Sequence, residues 1–356
     1  MYLMAKNWLG RTQKTSAWMW ALLCFVLLTV FQVRTHHLDD RLYFWIKTHW
    51  HTDDWQERSV WLPDYRVELD AKPVPGVDNN LSGLTFDPDL NLLWAVTNGP
   101  NELLALSRDG DVERRYSLDG FHDVEAVSYA GNGQLVIAEE RRQSLVIVDV
   151  PLAEGSKLSP GRSLSRDQYP ALTLALGKAD NKGLEGLAYD LKGDRLFVTK
   201  ERDPRQLLEV GGLRASLAGG FSLHVRDLSN LVKDKVFATD LSSVVFDQQS
   251  GHLILLSDES KLLIEITDEG KVVSFRSLAV RDPSSPHSKR PPDARCCAPD
   301  FFLGPARHDA PRQQSRKSLP LPQACGFSKI HRRPHRPGRT GHQSRRVRPR
   351  AFRLSQ

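Results

Sequence analysis

The feature that most constrains the fold is a sequence unit that occurs four times between residues 79 and 259. Each copy opens with Leu or Val, then Ser or Glu, a small residue, Leu or Val, any residue and an aromatic residue. A turn and a second apolar run complete the copy. Because two short apolar runs around such a turn are typical of a β-hairpin, each copy predicts one hairpin. The copies span residues 79–98, 121–140, 181–201 and 239–259.

A second pair of apolar runs follows the hairpin, most clearly in residues 102–118 and 261–278, which gives four strands per unit. The units start 43, 60 and 57 residues apart. Four-stranded repeats of about 40–50 residues are typical of β-propellers. The sequence therefore predicts an all-β protein, a β-propeller with four recognisable blades. Residues 151–180 would form a long loop between blades two and three, and a sandwich of irregular hairpins is the alternative fold.

The motifs LSGLTFD, DVEAVSY, LEGLAYD and LLSDESKLLIEI occur in this order along the chain. In this series the chain resembles the SdiA-regulated (YjiK-like) family over about residues 15–280. The resemblance implies an N-terminal membrane segment joined to a five-bladed β-propeller with a calcium site. It implies a fold and a location far more than an activity. A fifth blade is expected after residue 280, where the repeat pattern stops, so this blade is apparently lost.

The composition changes abruptly at residue 281. Residues 281–356 contain 18 Lys and Arg against 4 Asp and Glu, so the first 280 residues have a net charge of −8 although the whole chain has +6. We expect this segment to be a basic, Pro/Arg-rich disordered tail, and a frameshift explains best why the fifth blade is missing. The alternatives are a natural basic arm that binds nucleic acid or anionic lipid and a small metal-bound domain that uses Cys296, Cys297 and Cys325.

Loss of a blade has a structural consequence. A propeller closes by packing its first blade against its last, so a missing blade should leave an open gap with unpaired strand edges and exposed apolar faces. The alternating segment 65–69 would be a closing strand without partners. A chain with the reading frame restored should therefore unfold more cooperatively than the chain as it stands.

The N-terminal region contains a candidate membrane span. Residues 15–33 carry no charge and are almost wholly apolar. As a helix they would span about 28 Å, close to the roughly 30 Å hydrocarbon core of a bilayer. Lys6, Arg11 and Lys14 precede the run, which places residues 1–14 in the cytoplasm and the rest outside. The sequence predicts a single-pass protein of the inner (cell) membrane with a periplasmic or extracytoplasmic propeller; a cleaved signal peptide is the alternative.

Aromatic residues follow the span. Seven of the eight tryptophans lie before residue 62. Amphipathic aromatic rings favour the headgroup level of a membrane, so we interpret residues 34–62 as an aromatic juxtamembrane stalk and residues 63–280 as the propeller domain.

Acidic side chains converge at one rim of the predicted propeller. Residues at the start of the first strand and the end of the second strand of each blade share a rim, and many of them here are carboxylates. Such a ring suits Ca²⁺, which takes six to eight oxygen ligands. Glu125 and Glu185 are the best candidates because they hold the same position in two units. The remaining candidate ligands are Asp123, Asp240, Ser82 and Ser242, and the alternative is that these residues only solvate the channel entrance.

The sequence favours a binding function over catalysis. It contains no Gly-x-Ser-x-Gly motif, and no Cys–His pair occurs within residues 63–280. The acidic body argues against nucleic acid as a partner, since phosphate binding needs clustered cations. We expect a membrane-tethered module that binds calcium and an unidentified ligand or protein of the cell envelope. The alternative is a Ca²⁺-dependent hydrolase of phosphate esters or lactones, which only analogy with other propellers supports.

Overall fold

The computed structural model describes residues 2–50, 55–67, 72–77, 80–153, 157–161, 163–174, 176, 183–220, 222–233, 235–278 and 303–305. Two helices come first, α1 (Tyr2–Thr35) and α2 (Leu38–His49). Within α1, the segment Ala17–Thr35 is long and apolar enough to cross a membrane, and none of it is buried in the protein. An N-terminal signal sequence has the same properties.

The first two blades confirm the predicted hairpins. A short strand, β1 (Tyr65–Val67), precedes them. Blade 1 is antiparallel and contains β2 (Leu81–Asp87), β3 (Leu92–Thr97), β4 (Glu102–Leu106) and β5 (Val112–Asp119). Blade 2 begins with β6 (Val124–Gly131), β7 (Gln134–Glu139) and β8 (Ser144–Asp149).

The segment expected to be a long loop contains short strands. β9 (Leu152–Ala153) pairs with β10 (Lys157–Leu158). β11 (Leu164–Ser165) adds a parallel fifth strand to blade 1, and after a 3₁₀ turn β12 (Ala171–Thr173) pairs with β8 as the outer strand of blade 2. The prediction of a plain loop was therefore wrong in part, because these runs are too short and too interrupted by Pro and Gly to show an alternating pattern.

Blades 3 and 4 are four-stranded antiparallel sheets. Blade 3 contains β13 (Leu184–Asp190), β14 (Arg195–Lys200), β15 (Gln206–Gly211), the short helix α3 (Leu213–Leu217) and β16 (His224–Asp227). After α4 (Ser229–Lys233), blade 4 contains β17 (Ser243–Phe246), β18 (Leu253–Ser257), β19 (Leu262–Ile266) and β20 (Val272–Ser277). The described chain thus forms a four-bladed β-propeller.

Side-chain carboxylates build the turn between the first two strands of three blades. Asp87 accepts the backbone N–H of Asp89 at 2.9 Å, and Asp190 accepts the N–H of Gly193 at 2.9 Å. Asp247 accepts the N–H of Ser250 at 2.7 Å. These contacts satisfy turn amides that have no partner in the sheet. Blade 2 lacks this aspartate and instead uses a Gly-Asn-Gly turn, residues 131–133, in which all three φ angles are positive.

The blades pack against one another in chain order. Buried apolar clusters fill the interfaces between blades 1 and 2, 2 and 3, and 3 and 4. A fourth cluster contains residues of blades 4 and 1 together with residues of segment 60–77: Val245 and Ile254 of blade 4, Leu84 and Leu93 of blade 1, and the fully buried Leu62. The innermost strands β17 and β2 do not approach each other as closely as the innermost strands of the other neighbouring blades. The expected exposed apolar faces were therefore wrong for the part of the chain that the structure describes, because segment 60–77 covers them.

Small residues let the innermost strands approach one another. The third position of the repeated motif is Gly83, Ala126, Gly186 or Ser243. A Cβ atom on Gly83 would lie 2.8 Å from the Cα atom of Ala126, and one on Gly186 would lie 2.7 Å from the Cα atom of Ser243. Since real Cβ contacts are not this short, the motif requires a small residue here. The backbone of each inner strand is thus the surface against which its neighbour packs.

The segment 34–62 differs from the predicted stalk, because it is docked on blade 4. Phe44 is fully buried, and its ring centroid lies 5.9 Å from that of Phe275. The Ser260 hydroxyl donates a 2.6 Å hydrogen bond to Asp40. Farther along, the carboxylate of Glu265 accepts the backbone N–H of Val60 at 2.9 Å. An aromatic composition suits burial against protein as well as a membrane surface, and the sequence alone did not separate the two.

The predicted tail lies outside the described residues except for β21 (Leu303–Pro305), which pairs antiparallel with β1. The described part of the expected closing strand, residues 65–67, therefore has a partner, contrary to the expectation that it lacks one; residues 68 and 69 lie outside the described residues.

We predict that Gly186→Ala destabilises the propeller. The added methyl group would approach the backbone of blade 4, and overpacking of this kind costs about 1–3 kcal/mol. Thermal unfolding should show a melting midpoint lowered by several degrees. Gly220→Ala is the control, because the nearest atom to its new methyl group would be 3.3 Å away. Equal melting midpoints for the two variants would contradict the close approach of the inner strands.

Candidate metal centre

The second position of the repeated motif forms a β-bulge in three blades. The strand register shifts between Leu81 and Gly83, between Val124 and Ala126, and between Leu184 and Gly186. The extra residue at each shift is Ser82, Glu125 or Glu185. A bulge bends its strand and redirects a side chain, so the motif places one side chain per blade off the regular ladder at the rim. This rim is the one that the sequence predicted for the acidic residues.

The residue after the second strand is held against the start of the first. The backbone N–H of Asn98 donates to the Asn80 carbonyl at 3.0 Å, and the N–H of Glu140 donates to the Asp123 carbonyl at 2.8 Å. This repeated bond brings the side chain of Glu140 to the start of blade 2. Asp123 lies there in the left-handed region with φ +54°, which Asp adopts more readily than most residues.

Asp123, Glu125 and Glu140 form the acidic cluster. Each has a carboxylate oxygen within 4.8 Å of the others. Glu125 and Glu140 are buried and Asp123 is half-buried. The Asn98 amide of blade 1 donates to Asp123 at 2.9 Å and to Glu125 at 2.6 Å. Three carboxylates from blade 2 and one amide from blade 1 therefore converge at a single point on the rim.

The electrostatics of the acidic cluster are unfavourable for three ionised carboxylates. Burial raises the pKa of Glu140 from its ordinary value of 4.5 to about 8. The hydrogen bond from the Gly183 N–H lowers this pKa, and the negative charges of Glu125 and Asp123 raise it further. The Gly183 N–H lies 2.8 Å from the Glu140 carboxylate, and the Arg141 guanidinium lies 2.7 Å from Asp123. The raised pKa favours the protonated form of Glu140, and a bound cation would favour its ionised form.

Two predicted ligands, Asp240 and Ser242, lie outside the acidic cluster. The hydroxyls of Ser242 and Ser257 both donate to the Asp240 carboxylate. The backbone N–H groups of Asp258 and Glu259 also donate to it, at 3.1 and 3.2 Å. Asp240 thus organises the turn of blade 4, and its oxygens are engaged within that blade.

Glu185 and Ser82 occupy the predicted position but are not part of the acidic cluster. Glu185 is buried in blade 3, where the residue before the strand is Gly183 and not an aspartate. Ser82 is buried in blade 1, and its hydroxyl makes no hydrogen bond within the described part of the chain. The structure therefore brings together two of the six predicted ligands, Asp123 and Glu125.

Three other rim carboxylates, Glu139, Glu201 and Glu259, are paired with arginines. Glu139 is fully buried, with Arg142 at 2.9 Å and Arg166 at 2.8 Å. In blades 3 and 4, Arg202 bridges Glu201 and Glu259. Among the described residues, the acidic cluster is the one group of three acidic, His or Cys side chains close enough to share an ion.

Sequence reasoning placed Glu140 on the rim but did not choose it as a ligand, and it missed Asn98. The signal was present in the aligned units: Asn98, Glu140 and Glu201 each directly follow the residue that pairs with the first residue of the inner strand. The residue after the second strand of each blade therefore indicates the rim as directly as the residue at the bulge does.

The donor set fits a hard cation. Carboxylate and amide oxygens suit Mg²⁺, Ca²⁺ and Mn²⁺, whereas Zn²⁺ favours nitrogen and sulfur ligands. The acidic cluster offers only oxygen donors and could hold a metal ion. This chemistry does not by itself select one of the hard cations.

The fold and the acidic cluster define the class of the protein, a four-bladed β-propeller with a potential metal centre at one rim. The model of the SdiA-regulated family matches residues 57–284, more than half of the chain. The protein belongs to the SdiA-regulated family. The match ends close to residue 281, where the composition changes.

Solved structures with a related arrangement are propeller proteins of low sequence identity. A catalytically inactive variant of virginiamycin B lyase from Staphylococcus aureus, solved with quinupristin, has 11% identity and a TM-score of 0.36 and covers 60% of each chain. A streptogramin B lyase has 13% identity and a TM-score of 0.35, over 62% of this chain and 61% of the other. In the nidogen/laminin complex one chain has 12% identity and a TM-score of 0.38, over 53% and 61%. The chain spans about three fifths of the length of these proteins.

We predict that the free energy of unfolding falls between about pH 4.5 and pH 8 and that Glu140→Gln reduces this fall. The folded state raises the pKa of Glu140, so it binds this proton more tightly than the unfolded state, and stability is lost as the proton leaves. Denaturant unfolding at several pH values, with a chelator present, measures the effect. The amide introduced by the substitution would keep an oxygen for the Gly183 N–H.

The adjacent Glu139→Gln is the control, since it should destabilise the protein at every pH by leaving Arg142 and Arg166 without their carboxylate. If Glu140→Gln left the pH dependence of stability unchanged, the raised pKa of Glu140 in the folded protein would be disproved.

Proposed function

We propose that this protein is a membrane-anchored propeller that binds a divalent cation at the acidic cluster and presents that rim to a ligand or protein partner in the cell envelope. The observation that carries the proposal is the convergence of Asp123, Glu125 and Glu140 within 4.8 Å. Three carboxylates at this spacing repel one another, and a cation between them would remove the repulsion.

Calcium is the cation that the cluster suits best. Three carboxylates supply up to six oxygens if each binds through both atoms, and Ca²⁺ accepts six to eight oxygens in flexible geometry. The Asn98 amide, which now donates to two of the carboxylates, could turn its oxygen towards the ion. Mg²⁺ requires stricter octahedral geometry and keeps several waters, so it should bind less well here.

The membrane anchor of the proposal is the apolar part of α1. Segment Ala17–Thr35 has a mean hydropathy of 1.7, and none of it is buried in the protein. An apolar surface of this size is unfavourable in water and is stabilised when another apolar phase covers it. In the proposed arrangement this phase is the inner membrane, with the propeller on the extracytoplasmic side.

A hydrolase of phosphate esters or lactones remains the alternative activity, and it makes a distinct prediction. Ca²⁺-dependent turnover of such substrates that disappears in Glu125→Gln would favour the enzyme. Ca²⁺ binding without turnover supports the proposed binding module.

We predict that Ca²⁺ raises the melting midpoint of the protein. A ligand that binds only the folded state stabilises it by about 2.7 kcal/mol at one hundred times its dissociation constant. Glu125→Gln should abolish this gain, because the residue lies in the acidic cluster. Glu185→Gln is the matched control, since it holds the same position in blade 3 and should leave the gain intact. Differential scanning fluorimetry with Ca²⁺, Mg²⁺ and a chelator measures all three proteins.

Loss of the Ca²⁺ gain in Glu185→Gln but not in Glu125→Gln would place the metal in blade 3 and overturn the assignment. No stabilisation of the unaltered protein at millimolar Ca²⁺ would overturn the proposed metal binding itself.

A further inference from the structure

Helix α2 buries one side against the propeller and leaves an apolar side exposed. Asp40, Phe44 and Thr48 recur every fourth residue and are buried against blade 4. Leu42 and Trp45 lie on the other side and are 58% and 56% exposed. A helix normally buries one apolar stripe and presents a polar surface to water. The exposed apolar side of α2 is therefore unexplained by the packing of the propeller.

The exposed side of α2 continues onto the propeller body. Phe237, which precedes blade 4, is 45% exposed, and its ring centroid lies 5.6 Å from that of Tyr43. We call this surface the outer patch. Its large apolar side chains, all more than two fifths exposed, are Leu38, Leu42, Trp45, Trp50 and Phe237. The patch thus consists of residues from two separate parts of the chain, which lie together because α2 packs against the propeller.

We propose that the outer patch lies in the headgroup region of the membrane and fixes the orientation of the propeller on the bilayer. This inference rests on the membrane anchor of the proposed function. The chain itself indicates lipid as the occupant: α1 ends at Thr35 and α2 begins at Leu38, so the patch starts two residues after the apolar helix. A helix that follows a membrane span this closely begins at the membrane surface.

The composition of the outer patch suits that location. Tryptophan rings prefer the boundary between headgroups and acyl chains, and interfacial helices bury an apolar face about 5–10 Å into it. Lys47 is exposed on the same helix, and its long side chain can carry its charge back to the lipid phosphates. The acidic residues of α2 point elsewhere, since Asp39 pairs with Arg34 and Asp40 accepts the Ser260 hydroxyl.

The docking of α2 then sets which side of the propeller faces the membrane. Ser260, which contacts the beginning of α2, lies in the turn between β18 and β19 at the rim of the acidic cluster, and Phe44 contacts β20 farther along the blade. The outer edge of blade 4 therefore lies on the bilayer. Blade 3 separates blade 2 from blade 4, so the acidic cluster does not lie on the blade that contacts the membrane, and a soluble partner can reach it.

Site-directed spin labelling of the full chain tests this proposal. The protein is reconstituted in vesicles of phosphatidylcholine and phosphatidylglycerol, with its natural cysteines, Cys24, Cys296, Cys297 and Cys325, reduced to a single labelled position. Labels at Leu42→Cys and Trp45→Cys report on the outer patch. Val225→Cys is the matched control, because Val225 is 50% exposed on the outer strand of blade 3. A chain that keeps only Cys24 reports on the anchor.

The readout is collision of each label with oxygen, which partitions into lipid, and with a water-soluble nickel chelate. We expect oxygen to exceed nickel at positions 42 and 45 and at Cys24, and nickel to exceed oxygen at position 225. A lipid-exposed Cys24 label with water-exposed labels at 42 and 45 would overturn this proposal and leave the anchor intact. Low collision with both reagents at 42 and 45 would indicate a protein partner and also overturn it. A water-exposed Cys24 label would overturn the anchor and this proposal together.

Discussion

The close approach of neighbouring inner strands is the constraint on which the rest of the propeller depends. Gly83 and Gly186 leave no room for a side chain against the next blade, so the inner strands pack backbone to backbone. In three of the four blades, the residue directly before this small position bulges out of the ladder. The same short motif therefore determines how neighbouring inner strands pack and where the side chains at the rim lie.

Most of the fold could be predicted from the sequence because the hairpin signal is local. Each blade carries its own alternating runs and turn residues, and the pairing of β2 with β3 or β13 with β14 needs no distant information. The packing of segment 60–77 between blades 4 and 1 could not be predicted, since it brings together apolar residues that are far apart in sequence. The docking of Phe44 was missed for a similar reason: an aromatic side chain gains similar free energy from a lipid interface and from a protein core.

The candidate site shows how neighbours decide the role of equivalent residues. Glu125 and Glu185 hold the same bulge position, yet only Glu125 has an aspartate two residues earlier and a glutamate after the second strand of its blade. In blade 3 the corresponding glutamate, Glu201, is engaged by Arg202. The sequence predicted the rim correctly as acidic, but ion pairs with arginines hold Glu139, Glu201 and Glu259. Among the described residues, three carboxylates close enough to share an ion are found only on blade 2.

A crystal structure of the protein grown with calcium, with the ion located by its anomalous scattering, would test the metal centre directly. We expect one peak about 2.3–2.6 Å from carboxylate oxygens of Asp123, Glu125 and Glu140. A peak beside Glu185 in blade 3 would contradict this expectation. So would an acidic cluster without an ion in crystals that hold calcium elsewhere.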